Sequence, residues 1–146
     1  MTGEYGSTAT APERPSDVWR HDPHALGARG EEVAAASLGA RGWTILGRNW
    51  QSGYGEVDII ALDPDAEASV VTLIEVKTRL SSGGEEPVPE RAVDELRRQR
   101  YTNAGTAFLR DNSWYRLVRF DVIAITVSDD GMAHLHHVKN AFEVGQ

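Results

Sequence analysis

The sequence contains no cysteine, which removes disulfides, thiolate nucleophiles and Cys-ligated zinc from the chemistry open to it. It has no run of about 18 apolar residues and no basic start followed by an apolar leader, so a soluble, cytoplasmic chain without a membrane partner is expected. Internal repeats and a glycine-rich phosphate cradle are also missing. Basic residues are in deficit: 15 Lys and Arg stand against 22 Asp and Glu, a net charge of -7, the reverse of the usual footprint of a nucleic-acid binder. Distribution qualifies that total, because six arginines and a single acid, Asp111, fall between Arg97 and Arg119.

A chain of 146 residues with 40% apolar content can bury one sizeable core. Residues 1–24 are rich in Pro, Ser, Thr and Gly and poor in apolar side chains, so a disordered tail is expected there and one domain over 25–146. Periodicity predicts a helix over 25–40, strands over 43–49, 56–62 and 70–78, a helix over 89–110, and strands over 117–127 and 134–139. The expected fold is α/β, a mixed β-sheet flanked by helices. The Gly- and Pro-rich stretch 80–90 is placed to act as a flap beside the second helix.

Chemistry concentrates in two strands joined by the turn-rich DPDAEAS. Alternation places Glu56 and Asp58 on one face of the first and Glu75 and Lys77 on one face of the second, so a hairpin would gather three carboxylates and an ammonium on one patch. A hard cation such as Mg2+ or Mn2+ needs only one or two protein carboxylates, with water and phosphate completing its shell. Asp58 and Glu75 meet that need, and Lys77 is available to orient a water or stabilise a phosphoryl transition state. The same alternation also fits cross-strand charge pairs on a wet sheet face.

The segments GARGEEVAAASLGARGWTILGRNW, GYGEVDIIALD, VTLIEVKTR, AVDELRRQRYTNAGTAFL, RFDVIAI and HHVKNAF, in this order over about residues 26–142, resemble the YraN-like bacterial proteins of the PD-(D/E)XK nuclease superfamily, a group similar to archaeal Holliday-junction resolvases. The resemblance implies a restriction-endonuclease-like core and a Mg2+-dependent endodeoxyribonuclease acting on branched or structured DNA. It implies Asp58, Glu75 and the Val76 carbonyl as metal ligands, with Lys77 catalytic. Its G-E-x-x-A element falls on Gly30, Glu31 and Ala34, making Glu31 a further acid of the site. Helical periodicity agrees, since Glu31 flanks the stripe Leu26, Gly30, Val33, Ala34, Ser37 and Leu38 while Glu32 lies on its far side; the other reading is two acids in a first turn. Where such proteins often carry a lysine in the second helix this chain has Arg97, which keeps a phosphate grip but cannot exchange protons. A non-catalytic nucleic-acid-binding or repair-accessory module is the alternative function.

Arg97 and Arg100 interrupt an expected apolar stripe of Val93, Leu96, Ala104 and Ala107, either to reach phosphate or to snorkel to water. Tyr54, in the QSGYG turn, is placed to touch nucleic acid, whereas Trp43, Trp50 and Trp114 read as core or strand-edge aromatics. Asp121 is marked as characteristic by the resemblance and would support a cation near the site or cap the sheet edge. His134 and His136 share a strand face without a third ligand in sight. Paired cutting of a junction would further call for a homodimer.

Overall fold

The computed structural model describes residues 21–81 and 95–142. Helix α1 (Pro23–Ala40) starts where two local signals coincide: the Asp22 carboxylate accepts the Ala25 N–H at 3.2 Å, and Pro23 occupies the first turn, where its missing N–H costs nothing. Pro23 and His24 therefore belong to the helix and not to the expected tail, whose residues 1–20 lie outside the described residues. The helix closes with Gly42 at φ 86° and the Trp43 N–H bonded to the Leu38 carbonyl at 3.0 Å, a left-handed stop that glycine adopts without strain.

Five strands follow: β1 (Thr44–Gln51), β2 (Glu56–Leu62), β3 (Val70–Leu80), then, after helix α2 (Glu95–Asp111), β4 (Leu117–Val127) and β5 (Ala133–Phe142). They form one sheet in the order β1-β2-β3-β4-β5. The β1–β2, β2–β3 and β4–β5 pairs are antiparallel, while β3 and β4, linked through α2, run parallel. This is the expected mixed sheet flanked by helices, an arrangement consistent with a restriction-endonuclease-like core. Of the flap and second helix expected over 80–110, residues 82–94 lie outside the described residues. Among the described residues no helix is long and apolar enough to cross a membrane.

Each face of the sheet buries its own cluster. Ala34 and Leu38 of α1 pack with Trp43, Ile59, Ile74, Ile123 and Ile125 on one side, and Tyr101, Ala104 and Phe108 of α2 pack with Val57, Ile60, Leu73, Phe120 and Val122 on the other. The stripe expected on α1 is the one observed, with Gly30, Ala34 and Leu38 buried. On α2 the expectation fails at Leu96, which is 77% exposed. The inward positions are Tyr101, Ala104 and Phe108, and helical spacing extends them back to Arg97 and not to Leu96. Trp43 is buried and Trp50 sits edge-on to Phe108 at 5.6 Å, but Trp114 is 73% exposed in the turn before β4, where Tyr115 turns inward in its place.

At Gly30 the helix α1 rests directly on β3, so that an added Cβ would stand 1.8 Å from Thr78 Oγ1. Helix propensity favours Gly30→Ala by about 1 kcal/mol, but overpacking at such a contact costs about 1–3 kcal/mol. We expect Gly30→Ala to lower the urea midpoint, and Gly30→Ala/Thr78→Ala to recover part of the loss; an unchanged midpoint in the single variant would refute the close contact.

Candidate active site

The site lies where β2 and β3 part. Their ladder comprises Ile59↔Ile74, Ile60↔Leu73 and Ala61↔Thr72, and beyond it the Val76 N–H is bonded by a side chain, Asp58 Oδ2 at 2.8 Å. A carboxylate thus replaces a main-chain carbonyl at the point of divergence. Strict alternation also breaks here. Val57 joins Ile60 on the α2 face while Ile59 packs on the α1 face, and Asn49, across from this segment on β1, adopts φ 53°. Glu56 consequently does not share the face of Glu75 and Lys77 as expected. It accepts from Gln51 at 2.9 Å and lines a cleft with Glu31, Glu32, Arg48 and Asn49.

Glu75, 9% exposed, emerges from β3 beneath α2. Its Oε1 meets Arg97 Nε at 3.2 Å, whereas Oε2 is enclosed and accepts no hydrogen bond from the described residues. Burial pushes the Glu75 carboxyl above the ordinary range against the pull of Arg97 and Lys77. Burial also raises Asp58, and Glu56 adds to the effect while the Val76 N–H and the two arginines oppose it. Lys77 is half-buried two residues along β3, on the Glu75 side by alternation.

Glu31 is half-buried and Glu32 exposed, as the stripe predicts. Burial, and then the charge of Asp58, hold the Glu31 carboxyl up, while Arg48, 4.0 Å away, draws it down. Glu32 pairs instead with Arg48 at 3.0 Å. The expected convergence of three carboxylates is looser than a ligand set: among the described residues no three acidic or histidine side chains form a group that could hold a metal ion. Asp58 and Glu75 are the pair at the parting strands, with Glu31 on its α1 flank.

Arg100, one turn after Arg97, threads past the β1–β2 turn. A Cβ at Gly55 (φ 127°) would fall 2.2 Å from Arg100 Cδ, so glycine there makes room for the arginine stem. Arg100 lies over the Tyr101 ring at 5.8 Å and its buried Nε has no hydrogen-bond partner among the described residues. Tyr54 is 50% exposed in the same turn.

Asp121 stands apart from this constellation. It projects to the α1 face, where it accepts from Arg119 Nε at 2.9 Å and the Asn140 N–H at 3.0 Å and meets His137 Nε2 at 2.8 Å. The cation it supports is therefore Arg119, which also reaches Asp63 at 2.8 Å, and not a residue beside Glu75. Desolvation opposes ionisation of Asp63, but Lys139, the Asp65 N–H and Arg119 together hold its carboxyl down at about 2. Trp43 floors the cluster, with Arg41, Arg119 and Lys139 each within 5.8 Å of its ring. Sequence reasoning missed Asp63, Arg119, His137 and Lys139; the one available signal was Arg119 two residues before Asp121, hence on the same face. His134 and His136 do share a face and are exposed.

The family described as Uncharacterised protein family UPF0102 matches residues 30–125. The chain belongs to that family. A UPF0102 protein of Pelobacter propionicus is 40% identical over 134 residues, covering 90% of this chain and 92% of the relative. One from Rhodococcus opacus is 42% identical over 120 residues, covering 81% and 96%, and one from Chlorobaculum tepidum 38% identical over 130 residues, covering 84% and 95%. The UPF0102 match spans Glu31, Asp58, Glu75, Lys77, Arg97, Arg100 and Asp121, whereas His137 and Lys139 fall beyond it.

A carboxyl raised on folding opposes folding fully above its raised value, and the opposition vanishes below its ordinary one. Asp58→Asn keeps an oxygen for the Val76 N–H and removes the half-buried charge. In EDTA at pH 7 this variant should unfold at higher urea than wild type, and the gap should close as pH falls toward 3.8, the ordinary carboxyl value. A variant less stable than wild type at pH 7 would refute the electrostatic account.

Proposed function

We propose that this chain is a metal-dependent endonuclease that hydrolyses phosphodiester bonds in branched or structured DNA, with a PD-(D/E)XK site of the kind found in Holliday-junction resolvases. The observation that carries the reading is the Glu75 carboxylate. It is enclosed, one oxygen has no donor among the described residues, and a second, half-buried carboxylate, Asp58, is fixed beside it by the Val76 N–H. Such a pair is costly to hold without a counter-ion. Mg2+ or Mn2+ fits the oxygen-only donor set, and needing only one or two protein carboxylates it does not require the tighter group of three. Asp58 and Glu75 would hold the ion, with the Val76 carbonyl at the same position on β3. Such an ion, when bound, supplies an acidified water and neutralises charge on the scissile phosphate.

The chain's own groups divide the remaining work. Lys77 orients the attacking water and donates to charge that develops on the phosphoryl oxygens. Glu31 extends the acidic flank from α1, and Glu56 reinforces it through its charge on Asp58. Arg97 and Arg100 present guanidinium forks to phosphate from α2, a geometry matched to that anion and incapable of proton transfer. Tyr54 offers an exposed ring at the same end. Symmetric cutting of a four-way junction would need a homodimer with two such sites.

The Arg97–Glu75 ion pair favours a second reading, in which an internal cation occupies the acidic site and the chain serves as a non-catalytic nucleic-acid-binding module. The two readings part on metal and on cleavage. Calorimetry with Mn2+ should give heat with wild type and none with Glu75→Gln. On labelled junction, flap, duplex and single-stranded DNA with Mg2+ or Mn2+, Lys77→Ala should lose cleavage by about 10²–10³-fold while binding persists, the signature of an interaction made in the transition state. Equal Mn2+ heats, or a Lys77→Ala variant that cuts as fast as wild type, would overturn the nuclease.

A further inference from the structure

The α2 face of the sheet continues past the candidate site. Register places Lys77 beside Ala124 and Ala124 beside His136, and one step on, Arg79 beside Thr126 and Thr126 beside His134. The facing of these rows is fixed by their neighbours. Leu73 and Val122 point into the α2 cluster, while Ile74, Ile123, Ile125 and Leu135 point to α1, so the alternate residues Lys77, Arg79, Ala124, Thr126, His134 and His136 share the α2 side. The α2 cluster reaches Val122 and no further along β4: Ala124 and Thr126 are half-buried, and His134 and His136 are exposed.

We infer that this strip is a track for one phosphodiester backbone of a nucleic acid, leading to or from Glu75 and Lys77. Its chemistry is that of an anion-binding strip. The floor, Ala124 and Thr126, is short; the walls on β3 and β5 carry longer nitrogen-bearing side chains. The walls stand about 9.5 Å apart, two strand spacings, and successive contacts along each wall about 6.7 Å apart, two residues of strand. Lysine, arginine, histidine and threonine side chains can all donate to phosphate oxygens, and neither row contains a carboxylate. Among the described residues acid reappears at the far end, where Asp130 is held in the β4–β5 turn by Ser128 Oγ and the Met132 N–H. The strip thus runs between two acidic limits, Glu75 and Asp130. It explains how a chain of net charge -7 could hold a polyanion: through a local donor strip and not through its overall field.

The inference rests on the nuclease reading only for what lies at the end of the track, so binding is measured without metal. Fluorescence anisotropy of a fluorescein-labelled single strand and of a labelled four-way junction, in EDTA, is compared for wild type, Arg79→Glu, His136→Ala and Arg110→Glu. Arg110 is exposed near the C-terminal end of α2, so its reversal changes net charge equally, away from the strip. Arg79→Glu should bind about ten-fold more weakly, with a salt dependence shallower by about one unit of slope, and His136→Ala should weaken binding in the same direction. Arg110→Glu should stay near wild type. Equal losses in both arginine reversals, no loss in Arg79→Glu, or displacement of the probe by poly-glutamate as readily as by unlabelled DNA would each overturn the track. Cleavage of the junction by wild type with Mn2+ is scored separately. Cutting with an unaltered Arg79→Glu affinity removes the track and leaves the nuclease, whereas Arg79-dependent binding without cutting removes the nuclease and leaves the track.

Discussion

Everything at this site hangs on one hydrogen bond, from the Val76 N–H to the Asp58 carboxylate. Two antiparallel strands that separate would leave main-chain donors facing apolar surroundings, at a cost of about 1–3 kcal/mol for each donor left unmet. Asp58 meets that need from the strand that is leaving, and in doing so turns its own charge toward Glu75. The fork in the sheet and the pairing of the carboxylates are therefore one structural event. The break in alternation at β2 belongs to it as well, because the strand must rotate for a side chain to lie in the plane of the ladder.

Charge is then balanced from outside the hairpin. Burial alone would drive Asp58 and Glu75 toward their neutral forms, and α2 answers with Arg97 and Arg100. The closeness of α1, set at Gly30, brings Glu31 to the other flank. On the opposite face a second polar cluster follows different physics. There Asp63 and Asp121 are saturated with donors, their carboxyls lie low, and the result ties the turn after β2 to β4 and β5. Two acidic clusters in one sheet thus differ in the number of donors each oxygen receives.

Much of this was legible in the sequence. Element order, both faces of α1, the β2–β3 hairpin and the shared side of Glu75 and Lys77 follow from periods of 3.6 and 2, which local backbone geometry enforces. Asp58 was legible as a residue but not in its attachment, since a side chain bonding into a neighbouring strand leaves no periodic trace. Glu56 was misplaced for the same reason: one rotated residue defeats alternation. Leu96 misled because hydrophobicity alone nominated it for the stripe, whereas the inward slot belonged to Arg97 through a partner distant in sequence. The Asp63–Arg119–Asp121–His137 cluster was largely invisible, because its members lie on β4, on β5 and just after β2, and meet only after the sheet has assembled.

Arg97 on the inward line of α2 carries a further meaning. A turn of α2 by one residue, about 100°, would bring Leu96 inward in place of Arg97, but also Arg100, Asn103 and Ala107 in place of Tyr101, Ala104 and Phe108. Apolar burial at Tyr101 and Phe108 opposes that turn. The ion pair with Glu75 opposes it as well, because the rotated helix would strand a buried carboxylate. The pair acts as an angular key that agrees with the apolar contacts on one orientation of the helix, and so keeps both arginines aimed at the fork in the sheet.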